Sequence, residues 1–460
     1  MQQTISPIDN SVYVERRLAT PSDIDRTLAR AREAQSAWRS VALHERAAIV
    51  ARFCDAFEAQ RNSIAQELTR QMGRPIRNSP SEVNGTLERA RHMIEIAPSA
   101  LGDIDPGPKA GFRRFVRREP LGVVFTVAAW NYPYLIAVNS IVPAIMAGNA
   151  VILKHSAQTP LCAERFDQCM RAAGLPEGVF QFLHLSHEDT ERVIRDPRID
   201  FVAFTGSVAG GHAVQRAASE RFIGIGLELG GCDPVYVRHD ANLGQAIENI
   251  VDGAYFNSGQ SCCGLQRIYV HEALYDSFLE GFVDLTRKYE LGDPLQSATT
   301  LGPVVRTAAA QTIRDQIAKS VSAGASPIID ESEFPASQVG TAYLAPQILI
   351  HVDHSMPVMK EEIFGPVAGI MKVSSDEDAI DLMNDSAFGL TAAIWTADED
   401  VAISIGDRID TGTWFMNRCD YLDPALAWVG VKDSGRGCTL SVVGYEHLTR
   451  PKSFHLRTKT

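Results

Sequence analysis

Residues 121–154, LGVVFTVAAWNYPYLIAVNSIVPAIMAGNAVILK, place two short apolar runs on either side of an Ala- and Ile-rich segment. The runs VVFTVAAW at 123–130 and AVILK at 150–154 are typical of buried strands, and the segment between them has the length of a helix. Strands separated by a helix are joined by a right-handed crossover and pair in parallel. The stretch therefore predicts a β-α-β unit of an α/β protein.

The same alternation continues after this stretch and then begins again. A helix over 160–173 and the strands VFQFL at 179–183 and FVAFTGS at 201–207 extend the first unit. After residue 233 the pattern restarts with the strands DPVYV at 233–237, RIYV at 267–270 and AAIWT at 392–396, and with helices over 241–256 and 273–289. We therefore predict two tandem parallel-sheet α/β domains.

Two further segments have other patterns. Apolar residues recur at helical spacing over 21–69, so the chain opens with amphipathic helices. At 112–118 arginines alternate with apolar residues in FRRFVRR, which indicates an exposed β-ribbon, either a solvated hairpin or a subunit contact. Together with the basic alternating segment 452–458, the ribbon suits strand pairing between subunits, and we expect a homodimer or a homotetramer.

Composition excludes several classes of partner. The 460 residues carry 44 Lys and Arg against 56 Asp and Glu, a net charge of -12 that disfavours nucleic acid and anionic membrane surfaces. No apolar stretch approaches the roughly 20 residues of a membrane-spanning helix, and no signal peptide is recognisable at the N-terminus. Eight cysteines without a CxxC pair indicate reduced thiols, so we expect a cytoplasmic protein.

Two motifs resemble cofactor and metal signatures but differ from them in spacing. After Gly224 and Gly226 the third glycine, Gly230, comes one residue too late for GxGxxG. His271-Glu272 begins a zinc-protease pattern that lacks the second histidine. We therefore expect neither a Gly-rich dinucleotide fingerprint nor a metal site.

Three other segments suggest covalent chemistry. In NSGQSCCG at 257–264 small residues flank Cys262, so a substrate could approach its thiol closely; a buried cysteine pair at a helix end is the alternative. Glu228 lies in the apolar stretch LELGG, where burial would raise the pKa of a carboxylate toward that of a useful general base. Asn131 follows a buried strand and could stabilise an oxyanion, although a turn asparagine has the same signature.

The compact length and the segments KHS at 154–156 and GVKDSG at 430–435 are similar to short bacterial, succinate-semialdehyde dehydrogenase-like members of the NAD(P)-dependent aldehyde dehydrogenase superfamily. Six motifs in order resemble the superfamily as a whole. They are AWNYP at 129–133, LKHSAQTP at 153–160, FTGSVAGG at 204–211, LELGG at 227–231, NSGQSCC at 257–263 and EEIFGP at 361–366. The resemblance covers nearly the full chain. It implies a cofactor-binding domain (1–105 and 119–230), a catalytic domain (231–435) and a small β oligomerisation flap (106–118 and 436–460).

Transferred motif by motif, the resemblance implies roles for individual residues. Cys262 becomes the nucleophile, with Cys263 a bystander, Glu228 the general base and Asn131 the oxyanion ligand; Lys154 is counted with these catalytic residues. The residues implied to bind NAD or NADP are Trp130, Lys154, Ser156, Gly206, Ser207, Gly211, Glu362 and Phe364. Those implied to line the substrate site are Tyr132, Arg418 and Trp428.

The chain departs from the family pattern at three places. Ala129 replaces a proline, which we expect to affect loop stiffness more than chemistry. Ala157 replaces the acidic residue that binds the adenosine ribose hydroxyls in the family, so we expect both NAD and NADP to be used. Trp428 begins a segment that is bulkier than the sequence common in the family at this place. Its side chain would make the substrate tunnel more aromatic.

The resemblance implies oxidation of a small-molecule aldehyde to the acid, through a thiohemiacetal and a thioester on Cys262 that is hydrolysed by water activated by Glu228. A CoA-acylating dehydrogenase is one alternative, although that class typically lacks the glutamate. A catalytically silent member of the fold is another. We also hypothesise that Arg418 faces the substrate mouth and favours aldehydes with a remote carboxylate; a surface arginine paired with Asp420 or Asp423 is the alternative.

Overall fold

Two mainly parallel sheets with surrounding helices organise the chain in the computed structural model, which describes residues 1–459. The helices are α1 Pro21–Trp38, α2 Leu43–Glu58, α3 Arg61–Met72, α4 Pro80–Ala100, α5 Pro133–Ala147, α6 Pro160–Ala172, α7 His187–Arg195, α8 Val208–Ala218, α9 Leu243–Tyr255, α10 Tyr275–Thr286, α11 Thr307–Ser322, α12 Pro357–Lys360, α13 Asp376–Asn384, α14 Glu399–Gly406 and α15 Ser441–Glu446. The strands are β1 Gln2–Ile5, β2 Val12–Arg16, β3 Phe112–Pro120, β4 Val123–Ala128, β5 Ala150–His155, β6 Phe180–Phe182, β7 Phe201–Thr205, β8 Gly224–Glu228, β9 Asp233–Val237, β10 Leu265–His271, β11 Ser326–Pro327, β12 Gln347–Ile350, β13 Val367–Val373, β14 Phe388–Gly389, β15 Thr391–Trp395, β16 Thr413–Met416, β17 Val431–Lys432, β18 Gly435–Arg436 and β19 Thr449–Arg457.

The first sheet contains the predicted β-α-β unit. Its strand order is β18-β8-β7-β4-β5-β6, and all neighbours are parallel except β18 and β8. Helix α5 connects β4 to β5, and every residue of β4 is buried, as expected for a strand covered on both faces. Gly224 and Gly226 lie inside β8, so this stretch is not a phosphate-binding turn. The α/β class is confirmed.

The second sheet is built from the later part of the chain. Its order is β11-β12-β13-β10-β9-β15-β16, and only β11 runs antiparallel to its neighbour. Strands β9 and β15 are buried throughout, because helices cover the sheet and no face is left for polar alternation. The restart of the α/β pattern after residue 233 therefore corresponds to a second parallel sheet, as predicted.

The predicted helical opening comprises α1, α2 and α3. Helix α1 begins with a capping box, in which the side chain of Thr20 accepts a hydrogen bond from the Asp23 N–H and the Asp23 carboxylate accepts one from the Thr20 N–H. Helices α2 and α4 pack on α5 and α6 around an aromatic group that includes Phe53, Phe57 and Phe166. This packing holds the long helix α4 beside α5, next to the functional site.

The C-terminal segment returns to the first sheet. Strand β18 pairs with β8, and Leu440, Tyr445 and Leu448 belong to the core that also contains α2, α4 and α5. Strand β19 then pairs along its whole length with β3, so the two segments expected to serve subunit pairing form one ribbon within the chain. Part of the predicted flap range 436–460 thus packs with the first sheet; the domain boundaries themselves stay a prediction.

Candidate active site

The carboxyl ends of β4, β7 and β8 meet at one edge of the first sheet. Asn131 follows β4, Thr205 ends β7 and Glu228 ends β8. The segment containing Cys262 and Cys263, between α9 and β10, faces this edge across a cavity of about 390 Å³. The cavity is lined by residues of both halves of the chain, among them Tyr132, Thr205, Glu228, Cys262, Cys263 and Trp428. Such an edge is where α/β proteins usually bind ligands.

A tight turn presents the Cys262 thiol to the cavity. Asn257, Ser258 and Gly259 all have left-handed backbone, with φ of 54°, 57° and 69°. A Cβ on Gly259 would lie 2.1 Å from the Gly365 carbonyl oxygen, so only glycine fits there. The strained turn is over-determined by its surroundings, which is common where a reactive group has to be held in place.

A buried polar network holds this turn against Asn131. Arg74 pairs with Glu82 and donates a hydrogen bond of 2.6 Å to the Asn131 carbonyl. The Asn257 amide also donates to that carbonyl at 3.2 Å and to the Gln260 carbonyl at 3.2 Å. Since every member is buried and paired, the network fixes the relative position of the Asn131 and Cys262 segments.

The Asn131 side chain is held against the segment that carries Cys262, although Asn131 is not itself among the residues that line the cavity. Its Nδ2 donates to the Gln260 carbonyl at 3.2 Å, which leaves the second N–H of the amide for another acceptor. The Cys262 N–H makes no hydrogen bond to any group within residues 1–459. Side-chain amide and backbone N–H groups are the kinds of donor that an oxyanion requires.

Glu228 is held by two hydroxyl groups. Thr439 Oγ1 donates to one carboxylate oxygen at 2.6 Å, and Thr205 Oγ1 donates to the other at 3.4 Å. Burial raises the pKa of Glu228, while the Thr439 hydrogen bond and the positive charge of Arg89 act in the opposite direction. A carboxylate with a raised pKa in the wall of the cavity is suited to accept a proton from water.

Cys263 differs from Cys262 in its surroundings. It is buried, and its Sγ lies 3.2 Å from Asp420 Oδ1. The adjacent Cys262 thiol and burial raise the pKa of Cys263, which favours its protonated form. Burial likewise raises the pKa of Asp420 to about 7. Of the two adjacent thiols, the partly exposed Cys262 is therefore the better placed to react.

The predicted cofactor residues of the first sheet lie at the ends of β5 and β7. Ser207 caps α8 through a 3.2 Å hydrogen bond from the Gly210 N–H, and Gly211 allows close packing on Leu229. Lys154 is half-buried and makes no ion pair within residues 1–459, and burial lowers its pKa. The free N–H groups of a helix N-terminus and an unpaired ammonium suit a diphosphate and a ribose.

The remaining predicted cofactor residues meet between the two sheets. Trp130 and Phe364 pack edge to face with ring centroids 5.6 Å apart. Glu362 accepts a 3.1 Å hydrogen bond from the Gly231 N–H, and burial raises its pKa to about 7. A Cβ on Gly230 would come within 2.2 Å of the Glu362 carboxylate, which explains the glycine. The loop after β4, the LELGG segment and the 361–366 segment thus converge, while their role in cofactor binding stays a prediction.

Two of the three predicted substrate residues line the cavity, and one does not. Tyr132 and Trp428 form part of its wall, and the buried Tyr132 hydroxyl has no hydrogen-bond partner. Arg418 is exposed and lies 3.7 Å from the ring centroid of Tyr421, which itself lines the cavity. Arg418 is therefore not itself a lining residue but contacts one, and its position at the substrate mouth stays a prediction.

Comparison with known proteins agrees with this geometry. The sequence pattern of the aldehyde dehydrogenase family matches residues 1–454. The chain belongs to this family. It is therefore an NAD(P)-dependent dehydrogenase that oxidises aldehydes, and its fold is the aldehyde dehydrogenase fold.

Several relatives of this dehydrogenase are similar along almost their whole length. An aldehyde dehydrogenase of Paenarthrobacter nicotinovorans is 35% identical, with 94% of this chain and 95% of the relative covered. The Escherichia coli succinate semialdehyde dehydrogenase [NAD(P)+] Sad is 33% identical, with 93% and 91% covered. The solved succinic semialdehyde dehydrogenase of Streptococcus pyogenes in complex with NADP+ superposes with a TM-score of 0.95 at 29% identity, covering 99% of this chain and all of that one.

The structure adds site residues that the motifs did not identify: Arg74, Glu82, Arg89, Thr439 and Asp420. The helical pattern could have marked Glu82 and Arg89 as candidates. They are charged residues on the apolar stripe of α4, and at seven positions apart they lie on the same helix face. For Thr439 and Asp420 nothing nearby in the sequence indicates a role.

Within residues 1–459 no helix has the length and apolar character needed to cross a bilayer.

Proposed function

We propose that this dehydrogenase uses Cys262 as nucleophile, Asn131 as oxyanion ligand and Glu228 as the base that activates water. The observation that supports the proposal most directly is that Cys262 and Glu228, from different halves of the chain, line the same cavity. The Cys262 thiolate attacks the aldehyde carbon, and the negative oxygen that results accepts hydrogen bonds from Asn131 Nδ2 and the Cys262 N–H. When bound, NAD(P)+ would supply the acceptor for the hydride of that carbon.

The second half of the reaction depends on Glu228. Its carboxylate takes a proton from a water molecule as the water oxygen attacks the thioester carbon, and the bond to Cys262 Sγ then breaks. The acid leaves, and the thiolate is free for another cycle. Lys154, Ser156 and the N-terminus of α8 at Ser207 would hold the cofactor from the first sheet, and Glu362 and Phe364 would hold it from the second.

Hydrolysis, rather than transfer of the acyl group to CoA, is the outcome that Glu228 supports. Absorbance of reduced nicotinamide after addition of an aldehyde, with and without CoA, distinguishes the two. We expect turnover that does not need CoA. Glu228→Gln should give a burst of reduced cofactor followed by a stall, since hydride transfer precedes hydrolysis. Turnover that depends on CoA, or a variant without a burst and with intact cofactor binding, would contradict the proposal.

Succinate semialdehyde is the first aldehyde to test, because it appears in the names of similar enzymes. The hypothesis that Arg418 favours such carboxylated aldehydes stays a prediction, now through its stacking on Tyr421. Arg418→Ala should then raise KM for the semialdehyde acid and leave KM for a neutral aldehyde unchanged. Equal KM values for the variant and the wild type with both aldehydes would remove the hypothesis.

We further propose that the ribbon of β3 and β19 forms part of a subunit contact in a dimer or tetramer. A two-stranded ribbon has little stability alone in water. Within residues 1–459 no other strand pairs with its outer edges, and β3 has only isolated bridges there, from Ile104 to Val116 and from Lys109 to Phe112. Sedimentation of the full chain and of a variant with proline at an outer-edge position would test the contact.

The eight free cysteines support a cytoplasmic location, where thiols stay reduced.

A further inference from the structure

The turn between β5 and α6 carries cofactor residues predicted from the LKHSAQTP motif. Lys154 belongs to β5, Ser156 opens the turn, and Ala157 follows it at the place of the family's acidic ribose ligand. Ala157 is exposed at the carboxyl edge of the first sheet. A turn at such a place is either held in one conformation beforehand or has to be ordered when a ligand binds, at a cost in entropy.

The two ends of this turn are fixed by buried side chains next to it. The imidazole of His155 accepts a hydrogen bond from the Ser156 N–H at 2.9 Å through Nδ1, and its Nε2 lies 3.1 Å from the Pro133 carbonyl oxygen. The N–H of the buried Thr159 donates to the Ser156 carbonyl at 3.1 Å. The N–H of Ala157, at the middle of the turn, has no acceptor within residues 1–459. The middle of the turn therefore depends on other contacts.

Those contacts come from strand β1 of the N-terminal hairpin, which β1 and β2 form. Thr4 Oγ1 donates a hydrogen bond of 2.8 Å to the Ala157 carbonyl, whereas the exposed amide of Gln2 lies 3.5 Å from the same oxygen. The side-chain amide of Gln158 donates to the Ile5 carbonyl at 3.0 Å. Two successive residues of β1 thus bind two successive residues of the turn.

The N-terminal hairpin is itself fixed at points away from the turn. Arg16, at the end of β2, forms a two-point ion pair with Glu164 of α6, with N–O distances of 2.5 and 2.9 Å. The Tyr343 hydroxyl, from the later half of the chain, donates to the Ile8 carbonyl at 3.2 Å. A hairpin that is anchored on both sides can fix the position of the turn that it contacts.

The strand itself does not explain a hydroxyl at residue 4. Thr4 is the one buried residue of β1, with 1% exposed, and it pairs in register with the buried Val14. Valine suits a buried strand position at least as well as threonine, because it brings no polar group that needs a partner. The buried hydroxyl is explained by its hydrogen bond to the turn.

We propose that Thr4 is a positioning residue for the cofactor, whose hydroxyl holds the turn in the conformation that receives the adenosine ribose. The inference deepens the proposed function, since it rests on the proposed cofactor roles of Lys154 and Ser156. Thr4 acts through the turn: it removes conformational freedom before the cofactor binds. Loss of the hydroxyl should therefore weaken binding of the adenosine half of the cofactor and leave the later chemistry unchanged.

The test measures binding of ADP-ribose, which lacks the nicotinamide, by isothermal titration calorimetry. Thr4→Val removes the hydroxyl and keeps the shape of the side chain, and Thr4→Ser keeps the hydroxyl. Thr286→Val is the matched control, because Thr286 is also buried and donates to a backbone carbonyl, that of Phe282, at 2.7 Å. From the net contribution of one neutral hydrogen bond, Kd should rise about two- to tenfold in Thr4→Val. It should stay near the wild-type value in Thr4→Ser and Thr286→Val.

Steady-state kinetics supply a second measurement. In Thr4→Val the KM for NADP+ should rise by the same factor, while kcat at saturating cofactor and the KM for the aldehyde keep their wild-type values. Lys154→Ala, measured in parallel, should also weaken ADP-ribose binding, because it removes a residue of the proposed cofactor site itself.

The outcomes separate this inference from the proposed function. If Lys154→Ala weakens ADP-ribose binding and Thr4→Val does not, the inference is wrong. Equal losses in Thr4→Val and Thr4→Ser, or an equal loss in Thr286→Val, would overturn it as well, since the hydroxyl at residue 4 would then not be the cause. Unchanged binding in Lys154→Ala would instead refute the proposed cofactor site. If Thr4→Val does not fold by circular dichroism, Thr4→Ala is judged by the same criteria.

Discussion

Replacement of Thr439 by valine tests how the proposed base is tuned. The substitution removes the hydroxyl that donates to Glu228 at 2.6 Å and keeps the shape of the side chain. A hydrogen bond to a charged group contributes about 1.5–3 kcal/mol. Since 1.36 kcal/mol corresponds to one pKa unit, loss of this bond should raise the pKa of Glu228 by about one to two units. Burial already raises that pKa, so the two effects add.

The sign of the effect on rate follows from the role of Glu228. The carboxylate acts as base only when ionised, so the acid limb of thioester hydrolysis should move to higher pH by the same one to two units. The assay is a single turnover with excess NAD(P)+, in which the acyl-enzyme is quenched in acid and quantified by mass spectrometry from about pH 5 to 9. The burst of hydride transfer should be unchanged, because it precedes the step that needs the base.

Thr439→Ser serves as the control, since serine keeps a hydroxyl at the same distance from the backbone. It should reproduce the wild-type acid limb closely. If Thr439→Val and Thr439→Ser show the same limb as the wild type, the hydroxyl does not tune Glu228. If both variants move together, the effect arises from packing against the cavity wall and not from the hydrogen bond. Either result would refute the reasoning.

Three other predictions can be checked with standard assays. Cys262→Ala should abolish dehydrogenase turnover while Cys263→Ser retains most of it, and equal loss in both would contradict the choice of nucleophile. Ala157→Glu should shift the ratio of kcat/KM values toward NAD, because a carboxylate there accepts ribose hydrogen bonds and repels a 2'-phosphate; an unchanged ratio would show that Ala157 does not select the cofactor. Glu82→Gln should lower the free energy of unfolding by about 3–5 kcal/mol in urea, because it leaves Arg74 buried without its partner. Glu58→Gln, at an exposed pair, should leave it almost unchanged, and equal losses would argue against the buried network.

Local sequence was sufficient to predict the most apolar strands of both sheets and to suggest candidate residues. Strand β4 is a continuous apolar run that leads to Asn131, and Cys262 lies among small residues, but each residue alone had a structural alternative. The resemblance then supplied the roles, and the structure places Cys262 and Glu228 in one cavity.

The residues that tune this chemistry could not be found in that way. Thr439 lies 211 positions after Glu228, and Asp420 lies 157 after Cys263, so neither pair forms a motif. A hydrogen bond between distant segments depends on how strands are ordered in the sheet, which local pattern does not encode. The stacking of Arg418 on Tyr421 could not be predicted either, because the direction of a loop side chain depends on its packing.

The return of the C-terminal segment to the first sheet has a consequence for biosynthesis. Strand β18 and helix α15 complete a sheet whose other strands end at residue 228, and Thr439 joins Glu228 only then. While the ribosome is still synthesising the residues of the second sheet, the first sheet therefore has an unpaired edge at β8. At that stage Glu228 also lacks its hydrogen bond from Thr439. Such an intermediate exposes strand edges and apolar surface and depends on chaperones or on rapid completion. We expect premature termination before residue 435 to yield aggregates and no partially active fragment.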